Sequence, residues 1–430
     1  MQSIKIFSLA LVFCLGVHSL STAQTGPSSH PALPSAVIPE GLGVNIHFIT
    51  PRPGELKMLV DAGFRWVRMD FNWGTIEQQK GVYDFRMYDS LVASLNKYHL
   101  KAVFILDYGN ALYDNAASPH SPEAVAAFAK WAAASALHFA SHDILWEMWN
   151  EPNNNAFWDP KLGVKAYIQL ALAAGKAIKV AAPEEAFLGP ATYGIPLDFL
   201  EACFKAGLLQ YWDAVSLHPY RQGGPETVSK DCQAVRQLIA KYAPAGKSIP
   251  LISGEWGYSA AWKDFTLEKQ GIMLARELLT NLSNDISLSI WYDWNDDGID
   301  QKNGEYHFGT ASYTYHVGRD PVYDPKPAYL AAKALTNTLN GYHFYKRLPS
   351  GSPDDYILLF SNKKKVRLAA WTIGEPHTIV LAAGKGRFAI TDYQGHTLPK
   401  LKADQNGLAI SLTDAPRYLI PLSRNNSQWR

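Results

Sequence analysis

The stretch Ile144-Leu145-Trp146-Glu147-Met148-Trp149-Asn150-Glu151-Pro152-Asn153 decides how the rest of the chain is read. Its first half is apolar and aromatic, as a buried strand requires. Its second half turns polar and meets Pro152, which has no N–H and stops a strand. Glu151 therefore stands at the strand's exit. Glu147 lies four residues earlier, on the same side of the strand. It sits deeper, where a charge needs a partner, and Arg68 or a histidine could supply one. A second stretch, Pro250-Leu251-Ile252-Ser253-Gly254-Glu255-Trp256-Gly257, places Glu255 at the exit of another strand.

Outward from these two exits, short apolar strands alternate with amphipathic helices. Strands are predicted at Leu42–Phe48, Trp66–Phe71, Lys101–Asp107, Ile144–Asn150, Ala186–Pro190, Ala214–His218, Ile249–Gly254 and Leu288–Asp293. Helical periodicity fills the intervals, for example at Gly54–Ala62, Tyr88–Tyr98, Pro122–His142 and Leu267–Leu282, and last at Pro327–Leu339. This eightfold alternation predicts parallel strands with right-handed crossovers. The expected fold class is α/β, a (β/α)8 TIM barrel over residues 39–340, with its working face at the C-terminal strand ends. A doubly wound open sheet would bring a Gly-rich phosphate turn after its first strand. Here His47-Phe48-Ile49-Thr50-Pro51 follows instead.

From Gly341 the helical period ends. Strand-like runs from Tyr356–Phe360 to Arg417–Pro421, separated by turns such as Gly384-Lys385-Gly386, predict a small C-terminal antiparallel β-sandwich over 341–430. It is read as a cap on the barrel, with carbohydrate binding as the alternative.

The charges nearly cancel, 40 basic against 39 acidic residues for a net +1. No global field draws the chain to nucleic acid or an anionic membrane. Lys5, the apolar run from Ile6 to Leu20 and the small residues Ser21-Thr22-Ala23 read as a signal peptide (1–23) cleaved after Ala23. A secreted or periplasmic location is the expectation. Residues 24–38, rich in Pro and Ser, read as a linker. No second long apolar run follows, so no membrane association is expected, and no obligate protein partner is implied. Cys203 and Cys232 fall in predicted helices. Export would permit a disulfide, but simple burial of apolar thiols is the preferred reading. There is no Cys/His cluster with zinc spacing. Asp293-Trp294-Asn295-Asp296-Asp297-Gly298 fits the start of a calcium loop, yet its twelfth position is Gly304 rather than Glu. A polar turn is the reading, with no metal and no cofactor expected.

Two carboxyl groups flanking an anomeric carbon are what cleavage of a glycosidic bond needs. One protonates the leaving oxygen, and the other attacks carbon or activates water. Strands four and seven face each other across a barrel mouth, so Glu151 and Glu255 can converge. Aromatic residues, 12% of the chain, fit either a large core or platforms for sugar rings.

Trp-Glu-Met-Trp-Asn-Glu-Pro at 146–152 with Gly-Glu-Trp-Gly at 254–257 resembles clan A of the glycoside hydrolases. So do Arg68-Met69-Asp70, Leu217-His218-Pro219-Tyr220 and Trp291-Tyr292-Asp293-Trp294. The whole is similar to family 39 and neighbouring family 5 members. The resemblance implies a retaining hydrolase of a polysaccharide or oligosaccharide, with Glu151 as acid/base and Glu255 as nucleophile. It implies that Asn150 bonds the sugar 2-hydroxyl, that Tyr220 bonds Glu255, that His218 lines the floor and that Trp291 stacks under the sugar. Arg68 is expected as a cation beside Glu255. His47, Asp70, Trp73, Asp107, Tyr108, Asn110 and Trp256 are further subsite candidates near strand exits. A transglycosylase would use the same two glutamates, and a non-catalytic carbohydrate-binding barrel would lack one of them.

Overall fold

The computed structural model describes residues 33–363 and 365–422. The expected signal peptide and most of the expected linker lie outside the described residues.

Eight parallel strands close into a barrel. They are β1 (Leu42–Asn45), β2 (Trp66–Asn72), β3 (Lys101–Asp107), β4 (Ile144–Met148), β5 (Ala186–Tyr193), β6 (Ala214–His218), β7 (Leu251–Trp256) and β8 (Ser289–Trp291). Pairing of Gly43 with Ile290 joins the last strand to the first. The surrounding helices are α1 (Glu55–Asp61), α2 (Trp73–Ile76), α3 (Arg86–Lys97), α4 (Pro122–His138), α5 (Gly163–Ala181), α6 (Leu197–Lys205), α7 (Val228–Tyr242), α8 (Leu267–Ser283) and α9 (Pro327–Leu339). Local chemistry sets several starts. Ser121 caps α4 by accepting from Ala124 N–H with Pro122 next, and Thr266 caps α8 in the same way.

Strand alternation divides the barrel's side chains into two sets. The inward residues Trp66, Val103, Leu145, Leu188, Ile252 and Ile290 form an apolar plug of their own. Their outward neighbours, such as Phe104 and Trp146, join the larger core beneath the helices. One step further along the strands the inward set turns polar, with Arg68 after Trp66 and Glu147 after Leu145. A charged layer thus rests on a dry floor.

After α9 the chain forms β9 (His343–Arg347), β10 (Asp355–Asn362), β11 (Lys365–Thr372), β12 (His377–Leu381), β13 (Gly386–Thr391), β14 (Thr397–Ala403), β15 (Leu408–Leu412) and β16 (Arg417–Pro421). Six of these make one antiparallel sheet in the order β14-β13-β16-β11-β10-β9, and β12 pairs with β15 opposite it. Ile357, Leu359, Leu368 and Leu419 face the interior of this sandwich. Leu358, Phe360, Ala369, Trp371 and Tyr418 belong to the core shared with the barrel. The central strands are therefore buried on both faces, and the sheet is fused to the barrel. Trp371 Nε1 donates to Glu226 Oε1 at 2.7 Å, and Arg276 on α8 binds the same carboxylate through Nε and Nη2. Cys203 and Cys232 are both buried free thiols.

Candidate active site

Arg68 is the centre of the charged layer. It projects inward from β2 and is 1% exposed. Its Nε donates to Glu147 Oε2 at 2.7 Å and its Nη1 to Glu255 Oε2 at 2.6 Å. Its Nη2 donates to Asn150 Oδ1 at 2.9 Å and lies 3.2 Å from His218 Nε2. Burial opposes the guanidinium charge, but the charges of Glu147 and Glu255 more than offset this and hold it raised. Glu147, fully buried, also accepts from Ser216 Oγ, which makes it a structural anchor beneath the site.

The turn after β4 presents Asn150 and Glu151 by a strained route. Trp149 and Glu151 hold φ of 62° and 45°, left-handed values that cost of order 1–3 kcal/mol each in non-glycine residues. Glu151 N–H donates to Ala191 O and Trp149 N–H to Leu106 O, so both neighbouring strands hold the turn. Glu151 Oε1 lies 3.1 Å from His218 Nδ1, and Asn154 Nδ2 donates to its Oε2 at 2.8 Å. Burial pushes the Glu151 carboxyl up. The bonds from His218 and Asn154 and the charge of Arg68 outweigh this, so it rests below the ordinary carboxylate value. Because Arg68 occupies Asn150 Oδ1, the amide's remaining donor is its Nδ2.

Glu255 leaves β7 with 13% of its side chain exposed. Tyr220 donates to its Oε1 at 2.7 Å. Burial and the adjacent charge of Glu255 hold the Tyr220 hydroxyl far above its ordinary value, so it remains a donor. Glu151, Glu255 and His218 bring one polar atom each to within 4.8 Å of one another.

These groups open into a cavity of about 580 Å³, within the usual range for small-molecule sites. Asn150, Glu151, Glu255, Arg68, Tyr220 and His47 all line it, as do Asp70 and Tyr108. His218 is fully buried and acts from beneath, through its two ring nitrogens. His47 reaches Asp293 at 3.0 Å. Burial lowers its pKa, but Asp293, Asp297 and Asp70 together raise it to about 9. His47, Asp293 and Asp297 each bring one polar atom to within 4.8 Å of the others.

Five expected sugar contacts do not reach the cavity. Trp291 and Trp256 are fully buried, and they pair with each other across β7 and β8. The register shifts between Ser253 and Trp256, so counting in twos from Ile252 assigns the Trp256 ring the wrong side, whereas Trp291 turns outward as its neighbour Ile290, facing inward, requires. Trp291 Nε1 donates to Phe308 O, and Arg221 covers the Trp256 ring. Tyr292, the next residue, lines the cavity instead. Asp107 is fully buried below Asp70. Burial and the Asp70 charge push its carboxyl well above the ordinary value. Trp73 and Asn110 are buried too, both bonded to Glu77. The sequence reading passed over Asn154, although the Asn153-Asn154-Asn155 run beside Glu151 was a usable signal. It also passed over Trp262 and Phe308, whose loops carry none.

Paired carboxylates at the C-terminal mouth of a (β/α)8 barrel are what cleavage of a glycosidic bond needs, and the comparisons with known proteins identify a glycoside hydrolase of clan A. The chain belongs to glycosyl hydrolase family 5: the family model described as Cellulase (glycosyl hydrolase family 5) matches residues 43–298. No curated protein sequence matches it. Among solved structures it is similar to a family 39 glycoside hydrolase from Bacteroides cellulosilyticus WH2. That likeness has 23% identity and a TM-score of 0.75, over 89% of this chain and 80% of the other. A family 39 β-xylosidase from Caulobacter crescentus shares 18% identity at a TM-score of 0.64, over 90% and 97%. A family 30 endoxylanase from Clostridium papyrosolvens C71 shares 10% at 0.62, over 91% and 98%. These likenesses are of fold. The protein is a glycosidase acting on carbohydrate.

Proposed function

We propose that the protein is an exported retaining glycosidase of β-linked polysaccharides or oligosaccharides, with Glu151 as acid/base and Glu255 as nucleophile. The observation that carries this reading is that one oxygen of each carboxylate lies within 4.8 Å of an oxygen of the other. Retaining sites hold their carboxyl groups about 5–5.5 Å apart, whereas inverting sites need about 6.5–9.5 Å to admit a water between them. The surroundings support this division of roles. Glu255 receives Arg68 and Tyr220, donors suited to a carboxylate that must be negative when it attacks. Glu151 faces His218, a proton carrier, at 3.1 Å.

In the first step Glu151 gives its proton to the glycosidic oxygen. The bond from that oxygen to the anomeric carbon breaks, and a Glu255 oxygen bonds the carbon from the opposite face. In the second step Glu151 takes a proton from water, whose oxygen displaces Glu255 and restores the original configuration. A bound sugar strips water from Glu151 and strengthens the effect of burial, which raises its pKa toward that of an acid. Asn150, whose Oδ1 accepts from Arg68, would donate its Nδ2 to the 2-hydroxyl. Similarity to a cellulase family model and to xylan-directed structures makes β-glucans and β-xylans the first substrates to test. Export rests on the N-terminal signal pattern.

Azide tests the two roles separately. Glu255→Gly with azide should release a glycosyl azide of inverted configuration, and Glu151→Gly one of retained configuration. An NMR time course of the native enzyme in which the opposite anomer appears first would sink the retaining mechanism.

A further inference from the structure

A second cavity, of about 630 Å³, lies beside the first. The two share Gln222, on the loop after β6, and Trp262, on the loop after β7. Its near wall is the Trp262–Phe265 loop and its base is Met273 and Arg276 of α8. Its far wall belongs to the C-terminal sandwich, which contributes Ile373 and Asp414. Lys269 on α8 pairs with Asp414 at 3.2 Å and ties that wall to the barrel.

Trp262 is half-buried on the ridge between the cavities. Its ring is wedged edge-on against Phe308, Tyr258 and Phe265, at centroid distances of 5.3, 6.0 and 5.7 Å. A ring fixed on three sides is pre-organised, so a ligand on it need not pay for its ordering. Beyond it, apolar Ile373, 42% exposed, stands among the polar Lys263, Asp264 and Lys269. That mixture suits a pyranose, whose C–H face is apolar and whose rim is hydroxyl. Because Gln222 and Trp262 line both cavities, a saccharide chain that crossed Trp262 from the first would enter the second.

We infer that the second cavity is a distal saccharide site, which holds another sugar of the same chain that is being cut. The inference rests on the proposed glycosidase reading of Glu151 and Glu255. It makes the C-terminal sandwich part of the substrate site and long chains the preferred substrates.

The test compares cello- and xylo-oligosaccharides of two to six sugars with p-nitrophenyl β-glucoside and β-xyloside. For the native enzyme kcat/KM should rise more than tenfold along one ladder. Ile373→Arg, a change on an exposed position that fills the groove, should remove about tenfold from the long-to-short ratio of kcat/KM. Calorimetry with Glu255→Gln should show tighter binding of the hexamer than the dimer, lost again in the double variant with Ile373→Arg. A flat length profile, or a rise that Ile373→Arg leaves intact, overturns the distal site. Cleavage of the aryl glycosides alone overturns it too while leaving the proposed function standing. If neither these nor the corresponding β-mannosides and β-galactosides are cut, the proposed function falls and takes the distal site with it.

Discussion

Replacing Arg68 by glutamine should destabilise the protein far more than replacing Glu147 by glutamine, although the two side chains form one ion pair. The asymmetry comes from Glu255. Arg68 is 1% exposed and serves Glu147 and Glu255 together. Arg68→Gln leaves two carboxylates facing one buried space without a cation. Removing one partner of a buried pair costs about 3–5 kcal/mol. Glu147→Gln leaves Arg68 still paired with Glu255, and the glutamine oxygen can accept from Nε. Its cost should be about 1 kcal/mol, the scale of one hydrogen bond. Each kcal/mol lowers Tm by about 2–4 °C in a domain of 150–250 residues. The lower slope suits this longer chain, giving losses of roughly 6–10 °C for Arg68→Gln and roughly 2 °C for Glu147→Gln. The double variant should be more stable than Arg68→Gln alone, because the uncompensated Glu147 charge is gone. Thermal melts at pH 7 of the three variants read this directly. An Arg68→Gln melt within 2 °C of the native protein, or a double variant no better than Arg68→Gln, would refute the reasoning.

Gly254→Ala should cost about 1–3 kcal/mol and most of the activity, since a methyl there would overlap Ser216 Oγ and come within 2.8 Å of Glu147 Oε1; kcat/KM within twofold of native would contradict this. Trp371→Phe should cost about 1.5–3 kcal/mol by removing a donor from the buried Glu226 carboxylate that joins sandwich to barrel, measured by urea unfolding. His47 carries a pKa raised from 6.5 to about 9. A raised cation stabilises the fold fully below 6.5 and stops doing so as pH climbs through about 9. The Tm of the native protein should therefore fall between those limits relative to His47→Gln, and parallel Tm–pH curves would exclude it.

Much of the site was legible because it lies where local rules hold. Glu151 lies just beyond β4, before the breaker Pro152, and Glu255 is the next-to-last residue of β7, so their place at the mouth follows from the strand ends. The partnership of Glu147 with a cation followed from burial, because a charge four residues inside a strand cannot remain alone. Strands β3 and β6 were bounded correctly for the same reason: their residues are buried on both faces and read as apolar runs. Strands β9 and β14 escaped notice. Both are edges of their sheet, and their half-exposed residues, with Pro399 in β14, leave no apolar alternation to read.

What the sequence determined by itself was the alternation of strand and helix, the two carboxylates at strand exits and the arginine beneath them. These depend on neighbours a few residues apart. Only the tertiary structure decided that the Trp256 ring turns away from the cavity, since a register shift between β7 and β8 breaks the alternation there. It alone decided that Glu151 and Glu255 stand within 4.8 Å. It alone joined Trp262 to Ile373 and Asp414 around one hollow. Residues so distant along the chain meet only when the sandwich docks on α8, and no local pattern encodes that meeting.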